Sequence, residues 1–162
     1  MTITYHRLRE VLSYDSQTGE FVWIKPPHVH PRLYGVTAGC VGTGYVMIRI
    51  DGRRYKAHRL AWLYCYGELP TMRIDHRDGN PFNNAISNLR LATQAQNCAN
   101  AARWRGKALP KGVRLIKGNR FQARISFNKR QIALGAFDTV DAAAQAYERA
   151  ALKLYGEFAR AA

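Results

Sequence analysis

Residues 73–97 read RIDHRDGNPFNNAISNLRLATQAQN. Arg73 to His76 has the character of a strand end, and the polar run 77–87 that follows reads as a loop. Leu89-Arg90-Leu91 is short and extended. Thr93 is an N-cap residue type, and Gln96 three positions later completes a capping box. A helix is therefore predicted from there to about Arg105. The stretch reads strand, loop, strand, helix, with Asp75 and His76 leaving the first strand and Asn97 in the first helical turn.

On the N-terminal side, Leu8, Val11 and Leu12 fall at helical spacing within residues 6–14. Asp15-Ser16-Gln17-Thr18-Gly19 reads as a turn, and residues 21–24 as a short strand. Pro26, Pro27, Pro31 and several glycines make 25–44 a loop. Residues 45–50 alternate, with Val46, Ile48 and Ile50 on one face. Asp51-Gly52 is a two-residue hairpin turn, because Gly accepts the positive φ required there. Residues 53–56 return, and 57–66 form a helix stopped by Gly67 with Pro70 beyond.

After Gly106 the pattern changes, and residues 108–112 read as a linker. Residues 113–116, 121–127 and 131–135 are predicted strands. Asp138 or Thr139 caps a final helix whose Val140, Ala143, Tyr147, Ala150, Ala151 and Leu154 share one face. Gly156 stops it. The fold class expected is α+β, with a first domain over 1–106 and a second over 107–162.

The chain of 162 residues carries a formal net charge of +14. Residues 1–98 hold 12 Lys/Arg against 7 Asp/Glu, and residues 99–162 hold 13 against 4. Such an excess attracts phosphate backbones and other anionic surfaces. Cys40, Cys65 and Cys98 lie far apart and form no CxxC pair, so no zinc site is expected. The N-terminal residues lack a signal-peptide core, and the apolar run 60–66 is too short to span a bilayer. A cytoplasmic protein that is not secreted and has no membrane partner is the expectation.

Phosphodiester hydrolysis needs an activated water and stabilisation of charge on the phosphate and the leaving oxygen. Mg²⁺ prefers oxygen ligands and keeps most of its waters. Asp75 and Asn97 are the right ligand types. On a strand end the ring of His76 points away from the side chain of Asp75, which leaves the imidazole to face an attacking water. Asn88 is a candidate to fix its tautomer.

These residues, with His58-Arg59-Leu60-Ala61-Trp62, Asp78-Gly79-Asn80, Asn83-Asn84, Asn88-Leu89-Arg90 and Gln96-Asn97, resemble the HNH endonucleases of phages and homing elements. The resemblance covers roughly residues 5–105. It implies a ββα-metal fold, one divalent ion (Mg²⁺, with Mn²⁺ as a substitute) and cleavage to 5′-phosphate and 3′-hydroxyl ends. By position it makes Asp75 and Asn97 the metal ligands, His76 the general base and Asn88 the residue that orients His76. The pair His58-Arg59 also fits the pattern, His58 as either a packed core histidine or a phosphate contact. Arg77 is a further candidate contact to DNA.

Residues 111–160 resemble the plant ethylene-response-factor (Apetala-type) DNA-binding domain. The resemblance lies in Gly112-Val113-Arg114, residues 121–125, residues 134–139, Ala142-Ala143, Ala146-Tyr147, Ala150-Ala151 and Gly156. It implies a three-stranded antiparallel sheet on one helix, the outer face of the sheet entering the major groove. Arg114, Arg124 and Arg130 on strands and Lys117, Arg120 and Lys129 near turns are the candidate DNA contacts.

The leading expectation is a metal-dependent, site-specific nuclease acting on double-stranded DNA as a monomer or a DNA-induced dimer. The competing class is a DNA-binding regulator with an inactive nuclease centre. An RNA-directed protein fits less well, because the A-form major groove is too narrow for a sheet.

Overall fold

The computed structural model describes residues 2–28, 30–42, 44–101 and 109–160. The chain divides into two compact units, residues 1–91 and 92–162. The domain boundary expected at 106/107 lies outside the described residues.

The first unit opens with α1 (Tyr5–Val11), whose N-cap Thr4 accepts a hydrogen bond from the Arg7 N–H. Leu8 and Val11 bury its inner face. Leu12 does not continue the helix as its spacing suggested. It starts β1 (Leu12–Tyr14), which pairs antiparallel with β2 (Phe21–Trp23), Leu12 opposite Trp23. That pairing buries Leu12 completely, so the cross-strand contact overrides the local periodicity.

The stretch 25–44 is not loop throughout. It contains a 3₁₀ turn (Pro31–Leu33) and a short strand β3 (Cys40–Val41). β3 pairs with β4 (Val46–Ile50), and β4 with β5 (Arg53–Lys56), to give an antiparallel sheet in the order β3-β4-β5. Asp51 and Gly52 take φ of 48° and 79°, as the two-residue turn requires. Ile48 and Ile50 face inward. Helix α2 (Ala57–Tyr66) packs on β4, β5 and α1 and ends at Gly67 in the left-handed region. Among the described residues, Phe21, Leu8, Leu12, Ile48, Ile50, Leu60 and Val11 are the largest fully buried side chains, and they belong to one continuous core. Next come β6 (Arg73–His76), a 3₁₀ turn (Ile86–Asn88) and β7 (Leu89–Ala92), β6 and β7 forming a two-stranded sheet.

The second unit begins with α3 (Gln94–Asn100), and the predicted capping box of Thr93 and Gln96 is present in both directions. The helix ends at Asn100, since Ala101 is extended; the predicted continuation over 102–105 lies outside the described residues. Three strands follow, β8 (Val113–Ile116), β9 (Arg120–Phe127) and β10 (Arg130–Phe137). They form an antiparallel sheet in the order β10-β9-β8. Helix α4 (Val140–Tyr155), capped by Thr139, packs on this sheet through Ala143, Tyr147 and Ala151. Ala123 and Ile125 of β9 supply the facing surface. Gly112 has φ +76°, and a Cβ there would lie 2.1 Å from the Tyr147 ring, so only glycine fits. The mixed α+β class with a three-stranded sheet on one helix is as the sequence predicts.

Candidate nuclease centre

β6 delivers Asp75 and His76 at its end, and both are buried, with 4% and 7% of their surfaces exposed. An ionised carboxylate in such a place needs a partner. Arg90 of β7 supplies it: its Nε donates to Asp75 Oδ2 at 2.8 Å, and Arg90 is itself only 6% exposed. The sequence places Arg90 in the family pattern but gives it no role. The alternation Leu89-Arg90-Leu91 points both leucines inward, yet the strand buries Arg90 and leaves Leu91 37% exposed. Only the need of Asp75 for a cation could have signalled it.

His76 sits in an aromatic cluster. The His58 ring meets it edge-on with centroids 5.1 Å apart, and Tyr45 lies 5.2 Å from His58 and 6.4 Å from His76. Burial lowers the pKa of His76 and pushes that of His58 down to about 3, helped by the neighbouring charges of His76, Lys56 and Arg59. Both rings are therefore neutral at pH 7. His58 is 6% exposed and its Nδ1 is buried without a hydrogen bond, so it is an inner packing partner of His76.

The loop after β6 is a dense hydrogen-bond network. Asn88 Nδ2 donates to Asp78 Oδ1 at 3.0 Å and to the Asn83 carbonyl at 2.8 Å, and its Oδ1 accepts from the Asp78 N–H at 3.1 Å. Its backbone carbonyl accepts from the Arg77 N–H at 2.8 Å. Asn88 thus ties down the loop that follows His76. The amide that approaches the ring is Asn84, whose Oδ1 lies 3.5 Å from His76 Nε2. The sequence places Asn84 in the loop and in the family pattern but gives it no role at the histidine. Burial of Asp78 opposes ionisation, but donors from Asn80, Asn83 and Asn88 outweigh it and hold its pKa below the ordinary value.

The N-terminal hairpin buttresses this loop. The Tyr14 hydroxyl donates to the Asn84 carbonyl at 2.7 Å, and the Ile86 N–H to the Ser16 carbonyl at 3.1 Å. Gly19, at φ +78°, sits so close that a Cβ would lie 2.2 Å from Ala85 N and 2.3 Å from Asn84 C.

The other predicted residues are placed as follows. Arg59 donates to the Pro70 carbonyl at 3.2 Å and pins the end of α2. Arg77 is exposed beside the centre. Asn97 stands in the first turn of α3, within the second unit. On the sheet of that unit, Arg114 is paired with Gln122 and Arg124 with Ala133, which places both arginines on the face away from Ile125. Their guanidinium groups donate to Gln122 Oε1 at 2.8 Å and Gln131 Oε1 at 3.1 Å, neutral acceptors, and among the described residues neither arginine is paired with an acid. Arg130, opposite Phe127, falls on the other face, because one strand position changes the side. Arg120 is ion-paired with Asp138 at 2.9 Å. Lys117 and Lys129 occupy exposed turns.

Among the described residues no group of three or more His, Cys, Asp or Glu side chains stands together, so a metal cage built on such a cluster is not formed there. A single buried carboxylate instead suits a hard dication that keeps its waters and takes phosphate oxygens. No helix among the described residues is long and apolar enough to cross a membrane.

A family model described as HNH endonuclease matches residues 55–99, from β5 through α3. The chain is 37% identical over 114 residues to the "Uncharacterized HNH endonuclease L560" of Acanthamoeba polyphaga mimivirus, covering 69% of this chain and 59% of that protein. It therefore spans less than two thirds of that relative's length. It is 31% identical over 117 residues to "Protein 3.8" of Escherichia phage T7, covering 65% of this chain and 92% of that one. No solved structure matches.

Proposed function

We propose that this chain, whose residues 55–99 match an HNH endonuclease family model, is a metal-dependent endonuclease that hydrolyses phosphodiester bonds in duplex DNA. The observation that carries this reading is the burial of Asp75 beside His76 at one strand end, with Arg90 holding the carboxylate. Asp75 and Asn97 are the proposed ligands of a divalent ion, Mg²⁺ with Mn²⁺ as a substitute. Bound there, the ion would neutralise charge on the phosphate and the leaving oxygen. The place of Asn97 in this set rests on the family match, which runs through it.

His76 is the proposed general base. Its lowered pKa keeps a lone pair available at neutral pH. With one ring nitrogen directed at Asn84 Oδ1, the other takes the proton from water. The water oxygen bonds to phosphorus, the bond from phosphorus to the 3′-oxygen breaks, and that oxygen is protonated by solvent. The products are a 5′-phosphate and a 3′-hydroxyl. Asn88 supports the base through the loop it ties together. One centre cuts one strand per event, so a double-strand break requires a DNA-induced dimer or two visits by a monomer.

The second unit is the proposed anchor. Support comes from its three-stranded sheet on one helix and from Arg114 and Arg124 on the outer face, in line with the Apetala-type resemblance. Lys117, Lys129 and Arg130 are proposed to add backbone contacts, and Arg120 to hold the hairpin through Asp138. Arg77 is the proposed phosphate contact beside the centre.

The test is cutting of supercoiled and linear duplex DNA with Mg²⁺. The wild type should cut, and His76→Ala should bind without cutting. A folded wild type that binds and never cuts makes the chain a DNA-binding regulator instead.

A further inference from the structure

The outer face of the β3-β4-β5 sheet has a charge arrangement that the nuclease centre does not use. In the β4–β5 register Arg49 stands directly opposite Arg54, and Met47 opposite Lys56. Directly opposed side chains lie on the same face, about 5 Å apart at Cβ, and like charges so placed repel. Among the described residues neither arginine has an acidic partner; Arg49 has only a 3.3 Å hydrogen bond to the Gly52 carbonyl. The one acid of the hairpin, Asp51, is held by Arg7 of α1 through two bonds of 2.9 and 2.8 Å. The repulsion is therefore left standing by the fold.

The same face has room for a ligand. A hollow of about 510 Å³ opens on it, with Arg49, Arg54, Met47 and Cys40 among the lining residues. The face also leads to the centre within one unit. Lys56 Nζ lies 4.1 Å from the Tyr45 ring centroid, and Tyr45 in turn packs with His58 and His76. An extended polyanion lying over Lys56 and the arginine pair would pass beside the reactive histidine.

We propose that this face, centred on the Arg49–Arg54 pair, is a second contact surface for the phosphodiester backbone of duplex DNA, separate from the sheet of the second unit. Each arginine takes one phosphate, and the bound phosphates relieve the repulsion across the hairpin. The inference rests on the reading of the chain as a DNA-acting protein.

The test is equilibrium binding of the full chain to a mixed-sequence duplex across a salt series, with EDTA present so that no cutting enters. Each neutralised phosphate contributes about 0.9 to the slope of log K against log salt. Arg49→Gln/Arg54→Gln should therefore make the slope shallower by about 1.8 and weaken binding most at low salt. The double Lys variant should keep the wild-type slope, because charge and not packing sets it. Arg54→Glu places an acid opposite Arg49, so it should melt at or above the wild-type temperature and still lose binding. Wild-type slopes in the folded Gln and Glu variants overturn the proposal. Should the Gln variant fail to fold, the Glu variant decides alone. A chain that shows the slope change but never cuts keeps this surface and loses the nuclease reading; one that cuts with no slope change does the reverse.

Discussion

The β6–β7 region and the β8–β10 sheet handle polar side chains in opposite ways. The first buries Asp75, His76, Asn84, Asn88 and Arg90 and assigns hydrogen bonds among them and their loop. The second leaves Arg114 exposed and Arg124 half-exposed, each bonded to a glutamine oxygen. Their cores differ in the same sense. Among the described residues, fourteen buried ones join in one cluster behind the first, whereas Ile125, Tyr147 and Ala151 make up the cluster behind the second. A base and a carboxylate must be held in a fixed geometry, which takes a large rigid core and a second layer of hydrogen bonds. A surface that meets a polyanion needs charge in solvent more than it needs rigidity.

The largest break in this contrast should come from the buried pair. Arg90→Leu leaves Asp75 without its cation in a buried site, and a loss of about 3–5 kcal/mol in urea unfolding is expected. A variant within about 1 kcal/mol of the wild type, a third or less of that loss, would show that the pair is not the anchor of the site. Close behind stand two matched glycines. Gly19→Ala and Gly112→Ala each force a Cβ into atoms 2.2 and 2.1 Å away at positive φ, at a cost of about 3 kcal/mol. Their functional effects should separate: the first displaces Asn84 and lowers the cutting rate at saturating DNA, the second lowers DNA affinity. Equal effects of both on both readouts would erase the distinction.

Per pH unit, the effect of acid is smaller. The folded His58 has a pKa of about 3 against an ordinary 6.5. Above the ordinary value both states are neutral; between the two values only the unfolded chain takes the proton. Stability therefore falls as pH drops through that window, by up to about 1.4 kcal/mol per unit, and no further below it. His58→Phe fills the same space without the unsatisfied Nδ1 and should flatten the acid limb by roughly one proton. Denaturant midpoints at pH 7, 5 and 4 measure it. The smallest effect expected is Arg114→Gln, which removes one charge from the exposed sheet and should change the salt slope by about 0.9 with little change in stability.

Much of this contrast is legible in the sequence, though unevenly. The Asp51-Gly52 turn, the Thr93–Gln96 capping box, α2 with its Gly67 stop and the alanine face of α4 follow from local rules, and each is found where expected. The position of Asp75 and His76 at a strand end follows from the same rules. What periodicity does not supply is the partner of a buried group. Arg90 lies inward against the alternation of its strand because Asp75 needs it, and Asn84 reaches His76 because the 15–19 turn presses its segment into place. Both depend on contacts between elements distant in sequence. Leu12 shows the same limit, leaving a helical spacing for a strand opposite Trp23.

The central claim, that the buried Asp75–His76 pair is a working phosphodiesterase centre, is tested most directly by single-turnover cutting of duplex DNA with Mg²⁺, wild type against His76→Ala. Loss of a general base predicts a rate lower by about 10²–10⁴-fold at a temperature where the variant is fully folded, with DNA affinity unchanged. A His76→Ala variant that cuts at the wild-type rate would contradict it.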